Sequence, residues 1–367
     1  MDLLPARAGT APQRPRPPAA PRRQAPPRPT APRVGAPTLG LGLVVLTALL
    51  VLALVASLAV GAKSVPAGTV LDAVFHHDPD NADQLIVTSL RLPRTVIGLL
   101  AGAALGLAGT VMQGLARNPL ADPGILGVNS GAALAVVVGI SVFKITSFTG
   151  YVWFAFVGAA AAAVLVYWIA SLGREGATPV KLALAGGVCS AALTSLTTAV
   201  LLTDTATFDR FRFWEVGALA GRDLSVAAQA APFIAVGVLL ALGSGRILNT
   251  LGLGEDTARG LGQNVVAARL YCAVAVVLLC GAATAMAGPI GFVGLTVPHA
   301  VRLVTGPDHR WILPYSMLLA PVLLLASDVL GRVVARPGEI QVGIVTAVVG
   351  APVFVALVRR RKSPELS

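Results

Sequence analysis

The chain has 367 residues, of which 55% are hydrophobic and only 12% are charged, with a mean hydropathy of +0.79. Soluble domains carry about a quarter charged residues, so much of this chain is expected to face lipid. The formal net charge of +11 does not indicate nucleic acid binding, because the basic residues gather near the N-terminus, in turns and at the C-terminus. The three cysteines and four histidines show no metal-ligand spacing, so we predict no metal site, cofactor or disulfide.

Residues 1–38 contain seven arginines and eleven of the 26 prolines, with few large apolar side chains. Such a composition cannot bury enough surface to offset the entropy of ordering, so we predict a disordered tail. A secretory signal is the alternative, since an apolar run follows the basic segment at Leu39. That run is longer than the core of a signal peptide, and no small-residue cleavage site before a soluble domain follows it. We therefore predict a cytoplasmic tail.

Ten apolar segments follow the tail, and a membrane-spanning helix takes about 20 such residues. The predicted spans are 39–62, 92–115, 123–143, 149–172, 181–203, 227–248, 266–288, 293–305, 312–332 and 341–358. The predicted fold is therefore all-α and polytopic, with a transmembrane domain over 39–362 and a short cytoplasmic end, 363–367. Ten spans place both termini on one side. The excess of lysine and arginine in the tail, alternate turns and C-terminus predicts that this side is the cytoplasm.

The most distinctive stretch is 91–131, which begins with R-L-P-R. Gly98, Gly102 and Gly106 then recur at every fourth position, with Gly109 about one turn further on. Small residues at this spacing share one helix face and let two helices approach closely in lipid. The motifs M-Q-G, R-N-P-L-A-x-P and G-x-N-S-G follow in order. The glycines alone indicate a tightly packed membrane helix, whereas the ordered motifs are much more specific.

The fifth span is rich in small and hydroxylated side chains, a composition that helix packing alone can explain. Between the sixth and seventh spans, 251–262 reads L-G-L-G-E-D-T-A-R-G-L-G. Its glycines bracket a short amphipathic piece from Glu255 to Leu261, with two acids at its start, where a helix favours negative charge. By itself this segment is equally consistent with a solvated turn and with a partner contact.

Residues 287–302 contain Gly288-Pro289 and further glycine and proline residues that cannot sustain one regular helix. Broken helices occur in membranes only where protein or a cavity satisfies the backbone. His299, beside a proline, is interpreted as structural rather than as a proton relay. Asp328 and Arg332 lie four residues apart near a span end, where ionisable groups must pair or meet water.

Taken in order over about 40–360, these motifs resemble those of the FecCD-type permeases, which import iron–siderophores, haem and cobalamin in ATP-driven transporters. The resemblance includes G-x-I-G-F-V-G-L-x-x-P-H-x-x-R and the last span. One departure is Gln341, where the family usually has proline, so the resemblance does not predict the geometry of the turn into the last helix.

The resemblance implies a transport subunit rather than an enzyme, without catalytic residues. It also implies two ATPase subunits, an extracytoplasmic substrate-binding protein and a second permease chain, identical or different. The sequence contains no G-x-x-x-x-G-K-[ST] loop, so ATP hydrolysis is expected on a partner chain. Ferric siderophore is the expected cargo, with haem and cobalamin as alternatives.

Three sets of residues take their expected roles from this resemblance. The binding protein is expected to dock on an exposed positive rim at the outer surface, formed by Arg91, Arg94 and Arg332. The residues expected to contact the ATPase are Gly254, Glu255, Ala258, Leu261 and Gly262. The translocation pathway and its inner gate include Thr178, Pro179, Ser190, Thr194 and Thr197.

Two other classes of protein fit less well. A secondary transporter needs inverted repeats and an ionisable site at mid-membrane, but apart from Asp328 the predicted spans contain no clear candidate acid. A membrane-embedded enzyme needs a catalytic constellation, such as paired acids or a histidine–glutamate metal set, and the sequence shows none.

Overall fold

The computed structural model describes residues 35–61, 63–76, 78, 80–145, 147–173 and 178–360, which form helices without any β-strand. The α-helices are α1 (Ala36–Ala59), α2 (Ala67–Phe75), α3 (Ala82–Leu85), α4 (Leu92–Leu115), α5 (Val128–Ser141), α6 (Phe148–Ser171), α7 (Pro179–Thr203), α8 (Thr205–Glu215), α9 (Leu224–Gly243), α10 (Gly245–Gly252), α11 (Glu255–Gly260), α12 (Val265–Ala287), α13 (Val293–Thr305), α14 (His309–Val334) and α15 (Val342–Arg360). A π-helical stretch, Ile86–Arg91, leads into α4, and a 3-10 turn, Pro123–Leu126, precedes α5. Most of the predicted tail and the predicted end 363–367 lie outside the described residues.

Each of the ten predicted spans contains a helix in the described part of the chain. Seven helical segments there are long and apolar enough to cross a membrane, while α5 and α15 are shorter apolar helices. The 13-residue α13 coincides with the short eighth span. The first span begins at Ala36 rather than Leu39, because Pro37 fits the first helical turn, where its missing N–H is not needed. The all-α polytopic fold is confirmed.

The centre of the bundle is α4, whose side chains are almost all buried. Helices α9, α12, α13 and α14 pack around it. In contrast, α1 exposes large apolar side chains along most of its length, as a lipid-facing helix does. The predicted free thiols Cys189, Cys272 and Cys280 are buried in apolar helices.

The glycine face of α4 packs directly against other helices. A Cβ added at Gly102 would lie 2.5 Å from the Pro321 Cα, and one at Gly106 would lie 2.6 Å from the Ser316 oxygen, both on α14. At Gly109 the added atom would lie only 1.9 Å from the Gly294 oxygen on α13. The predicted close approach of helix backbones is confirmed, and two different neighbours use it.

We expect Gly109→Ala to destabilise the fold, because its methyl group would collide with backbone rather than with a movable side chain. Overpacking of this kind costs about 1–3 kcal/mol. The measurement is thermal unfolding of the purified protein in detergent. Gly40→Ala is the matched control, since an added Cβ there meets nothing within 4 Å. Equal unfolding temperatures for the two variants would contradict the packing argument.

The predicted break between α12 and α13 is present. Gly288 ends α12 with φ +74°, and Phe292 precedes α13 with φ +68°. Pro298 lies inside α13 and has no N–H to donate to the Gly294 carbonyl four residues earlier. The Gln113 side chain of α4 donates to that carbonyl instead, at 3.3 Å, so a neighbouring helix satisfies the freed backbone group.

Candidate functional site

At the end of the bundle where α4 begins, charged side chains meet inside the protein. The Arg94 guanidinium contacts the Asp328 carboxylate through Nε and Nη2, at 2.7–2.9 Å. Its Nη1 donates to Glu339 at 2.6 Å, and Arg332 pairs with Asp328 at 3.0 Å. Of the two arrangements left open for Asp328 and Arg332, the structure shows the ion pair, as part of a cluster that joins α4, α14 and the loop after α14. We call this region the Arg94 end.

At the same end, arginine side chains donate hydrogen bonds to the last carbonyl groups of α1. Arg91 donates to the carbonyls of Leu58 and Ala59 at 2.7 and 2.8 Å, and also to that of Lys63. Arg332 donates to the Ser57 carbonyl at 3.0 Å. The last carbonyls of a helix have no partner within it, and cationic side chains near that terminus are favourable.

The expected exposed rim is therefore not what the structure shows. The exposed fractions are 6% for Arg91, 7% for Arg94 and 2% for Arg332. The reason is the proximity of the α1 carbonyls and of Asp328, which lies 234 residues from Arg94 in the sequence. The most exposed member of the cluster is Glu339, whose side chain is 39% exposed and lies against Arg94.

The coupling segment lies at the other end of α4, about 35 Å away at 1.5 Å per residue. The Glu255 carboxylate contacts Arg269 of α12, Arg117 in the elbow after α4 at 3.5 Å, and Arg259 within α11 at 3.5 Å. The acid predicted to meet an ATPase thus bonds to arginines of its own chain. We call this region the Glu255 end.

The other coupling residues divide into two groups. Ala258 is fully buried, so it attaches α11 to the bundle rather than facing a partner. Leu261 is 66% exposed, next to the exposed Asp256 and Arg259. The flanking Gly254 and Gly262 have φ values of +105° and +81°, which suit glycine and turn the chain at either end of α11.

The predicted pathway residues of α7 also differ in their surroundings. Thr194 is exposed and Ser190 is half-buried, whereas Thr197 is buried and donates to the Leu193 carbonyl at 2.9 Å. Thr178 caps the first turn of α7, which begins at Pro179. The connection 173–181, which the family resemblance implies is the inner gate, includes residues 174–177, and these lie outside the described residues.

After α7 the chain turns into α8, which contacts α5 and α7. Asp204 begins α8, and hydrogen bonds from the Thr207 hydroxyl and N–H lower the pKa of its carboxyl. At the far end of α8, the Gly343 N–H of α15 donates to the Gly217 carbonyl at 3.1 Å. The Ala218 N–H donates to the Ala287 carbonyl of α12 at 2.8 Å. Helices α8, α12 and α15 are thus joined by backbone groups at the break.

Sequence reasoning assigned no role to Gln113, although its M-Q-G motif was noted. Its Oε1 accepts from Arg302 Nη1 at 2.6 Å, while its Nε2 donates to the start of α13. The arginine fixes the orientation of the amide, and the amide holds the broken helix. A polar side chain within an apolar, glycine-rich helix was the available signal.

Comparison with known proteins identifies the family to which this architecture belongs. The sequence profile of the FecCD transport family matches residues 49–360. The chain belongs to the FecCD transport family. It is 47% identical over 305 residues to the ferric enterobactin transport system permease protein of Escherichia coli, which covers 83% of this chain and 91% of that protein. It is 42% identical to a siderophore transport system permease protein of Bacillus subtilis, over 76% of this chain and 84% of that protein.

A solved structure of a metal-chelate type ABC transporter, described as inward-facing, agrees with a TM-score of 0.77 at 29% identity. It covers 89% of this chain and all of that one. Helix α4 begins within R-L-P-R and packs through Gly109 against Gly294 of the broken helix, so the two motifs belong to one packed unit. As a FecCD protein, the chain is a multi-pass membrane permease of an ABC importer, and the resemblance drawn from the motifs is confirmed. The FecCD turn into the last helix forms with Gln341, whose carbonyl accepts from Ile344 N–H at 3.1 Å.

Proposed function

We propose that this FecCD permease imports ferric siderophores across the cytoplasmic membrane, with both termini in the cytoplasm. The observation that carries this cargo is the similarity, over nearly the whole transmembrane domain, to permeases named for ferric enterobactin and for a siderophore. Haem and cobalamin are the alternatives within the family. The permease itself makes and breaks no covalent bond.

We propose that two permease chains assemble with two ATPase subunits, and that each permease chain binds one ATPase subunit at its Glu255 end. The sequence has no phosphate-binding loop of its own, so another chain must hydrolyse ATP. The outward face of the coupling segment supports this role, because Leu261 and Leu253 present exposed apolar side chains beside Asp256 and Arg259. Apolar anchors within a charged rim are typical of protein interfaces.

The proposed pathway wall includes the exposed face of α7. The Ser195 hydroxyl donates to the Ala191 carbonyl at 2.8 Å, and Thr198 donates to the Thr194 carbonyl at 2.9 Å. The hydroxyl groups make this wall polar. Because their hydrogens are already donated within the helix, the wall should bind cargo only weakly. Such a surface suits a large cargo that must pass without being retained. Closure of the ATPase subunits would shift the helices between two packings and alternate the access.

The Arg94 end is the proposed docking site for the substrate-binding protein. The Arg94 Nη1 donates to the partly exposed Glu339, while its Nε and Nη2 donate to the buried Asp328. An acidic side chain of the binding protein would take the place of Glu339. Arg91 and Arg332 hold α1 beneath this position.

We expect Glu339→Gln to tighten binding-protein docking by about 1.4- to fivefold, because an ion pair at an interface rim contributes about 0.2–1 kcal/mol. The measurement is the Kd of the binding protein for purified transporter at low and high salt. Asp83→Asn is the control, since Asp83 pairs with the exposed Lys63 rather than with Arg94. Weaker docking by Glu339→Gln, or an equal effect of both variants, would contradict a docking site at Arg94.

The cargo is tested in a strain that lacks the permease, with and without this chain returned, by growth under iron limitation on defined ferric chelates or haem and by uptake of labelled cobalamin. We expect the returned chain to restore growth on siderophore chelates alone, without cobalamin uptake. Vesicles with the binding protein, and with or without the ATPase subunit, should then accumulate chelate only with ATPase and ATP. Growth on haem alone, or uptake driven by an ion gradient without ATPase, would overturn the proposal.

A further inference from the structure

The Glu255 end contains a second feature besides its exposed surface. The Glu255 carboxylate pairs with three arginines from different parts of the described chain, Arg117, Arg259 and Arg269, and Asp256 contacts only Arg259 among them in the described residues. Arg259 lies on the same short helix, but the other two do not. Arg269 belongs to α12, and Arg117 follows α4 at the start of the R-N-P-L-A-x-P elbow. One side chain of α11 therefore contacts two of the long helices or their ends.

The conformation of Arg117 is an independent observation. Its φ is +50°, in the left-handed region that side chains disfavour. Its N–H donates to the Gly114 carbonyl and the next N–H, of Asn118, donates to the Gln113 carbonyl, each at 3.2 Å. This is the helix ending in which glycine is the preferred residue. The chain has arginine where the backbone favours glycine, which indicates that the side chain has a use.

We propose that Arg117 and Glu255 transmit movement of the coupling segment to the elbow between α4 and α5. The inference rests on the proposed ATPase contact of α11. Glu255 holds α11 to α12 through Arg269, and to the elbow through Arg117. The elbow leads directly into Pro123–Leu126, whose Ile125 carbonyl packs against Gly186 of the pathway helix α7. A displacement of α11 thus has a continuous route to the pathway, and these two residues position the parts without touching cargo or nucleotide.

The test uses a substitution that relieves the backbone while removing the side chain. Arg117→Gly keeps the left-handed turn, so the thermal stability of the permease should be unchanged or higher. Assembly with the ATPase subunit and ATP hydrolysis should continue, while chelate transported per ATP hydrolysed falls about tenfold, a typical coupling effect. Arg117→Lys, which retains the positive charge, should recover part of the ratio. Asp209→Asn, which removes an exposed acid paired with Arg212 on α8, should leave it unchanged.

The variant Leu261→Cys distinguishes a failure of the proposed ATPase contact from a failure of the transmission route. If Leu261→Cys fails to crosslink to the ATPase in an otherwise native permease, the proposed contact of α11 is wrong. If it crosslinks and Arg117→Gly still transports with the native ratio, only the transmission route is wrong. A destabilised Arg117→Gly permease would also overturn the inference, because it would show that arginine is needed for the fold itself.

Discussion

Asp328→Asn should lower the free energy of unfolding by about 3–5 kcal/mol, a large effect for one side chain of nearly the same size. Asp328 is fully buried and pairs with both Arg94 and Arg332, so its neutralisation leaves two buried guanidiniums with one partly exposed acid, Glu339. The measurement is thermal or denaturant unfolding of the purified permease in detergent. Uptake should fall in parallel with the amount of folded protein in the membrane.

The control for this prediction is Asp83→Asn at the same end of the bundle. Lys63 is exposed and the Asp83 side chain is about one third exposed, so losing their ion pair should cost no more than about 1 kcal/mol. A loss below about 1 kcal/mol for Asp328→Asn would show that the cluster is solvated or rearranges without cost. In that case the burial of the arginines would lose its structural explanation.

Leu261→Glu should abolish transport while leaving the permease folded. Leu261 is exposed at the end of α11, so a carboxylate there meets water in the isolated permease but desolvation in an interface. Copurification with the ATPase subunit and ATP-driven uptake in vesicles measure the effect. We expect loss of assembly, or assembly without transport, together with a native unfolding temperature.

Ala258→Glu is the informative comparison, because Ala258 is fully buried three residues away. The new carboxylate has no space or partner, so the unfolding temperature should fall, unlike that of Leu261→Glu. If both variants unfold at the native temperature and only Ala258→Glu loses transport, the assignment of the outward face of α11 would be reversed.

Much of the fold followed from patterns local to the chain. The apolar run of α4 predicted its bounds, because lipid requires a continuous apolar helix of a certain length. Gly98, Gly102 and Gly106 predicted a close helix contact, since residues four apart share a face. Gly288 and its neighbours predicted a break, since proline and glycine there cannot continue a helix. The motif order also indicated the family that the whole-chain comparison established.

The environment of the charged residues was beyond local pattern. R-L-P-R at a span end predicted arginines at the membrane surface. Whether these arginines are exposed or buried depended on partners distant in the sequence, 33 residues away for Arg91 and 234 for Arg94. Asp328 and the last carbonyls of α1 draw Arg94 and Arg91 inward. The sequence contained each partner without showing that they meet, because an ionic contact depends on three-dimensional proximity rather than on spacing along a helix.

The same division holds at the coupling segment. The sequence by itself indicated that 251–262 contains a short, glycine-bounded amphipathic piece with an acidic start, because charge and turn preferences act within a few residues. Only the tertiary structure decided that Ala258 packs inward, that Leu261 faces outward and that Glu255 bonds to Arg117 and Arg269. Helix periodicity gives the relative directions of side chains, but which direction is the core is decided by the helices packed against them.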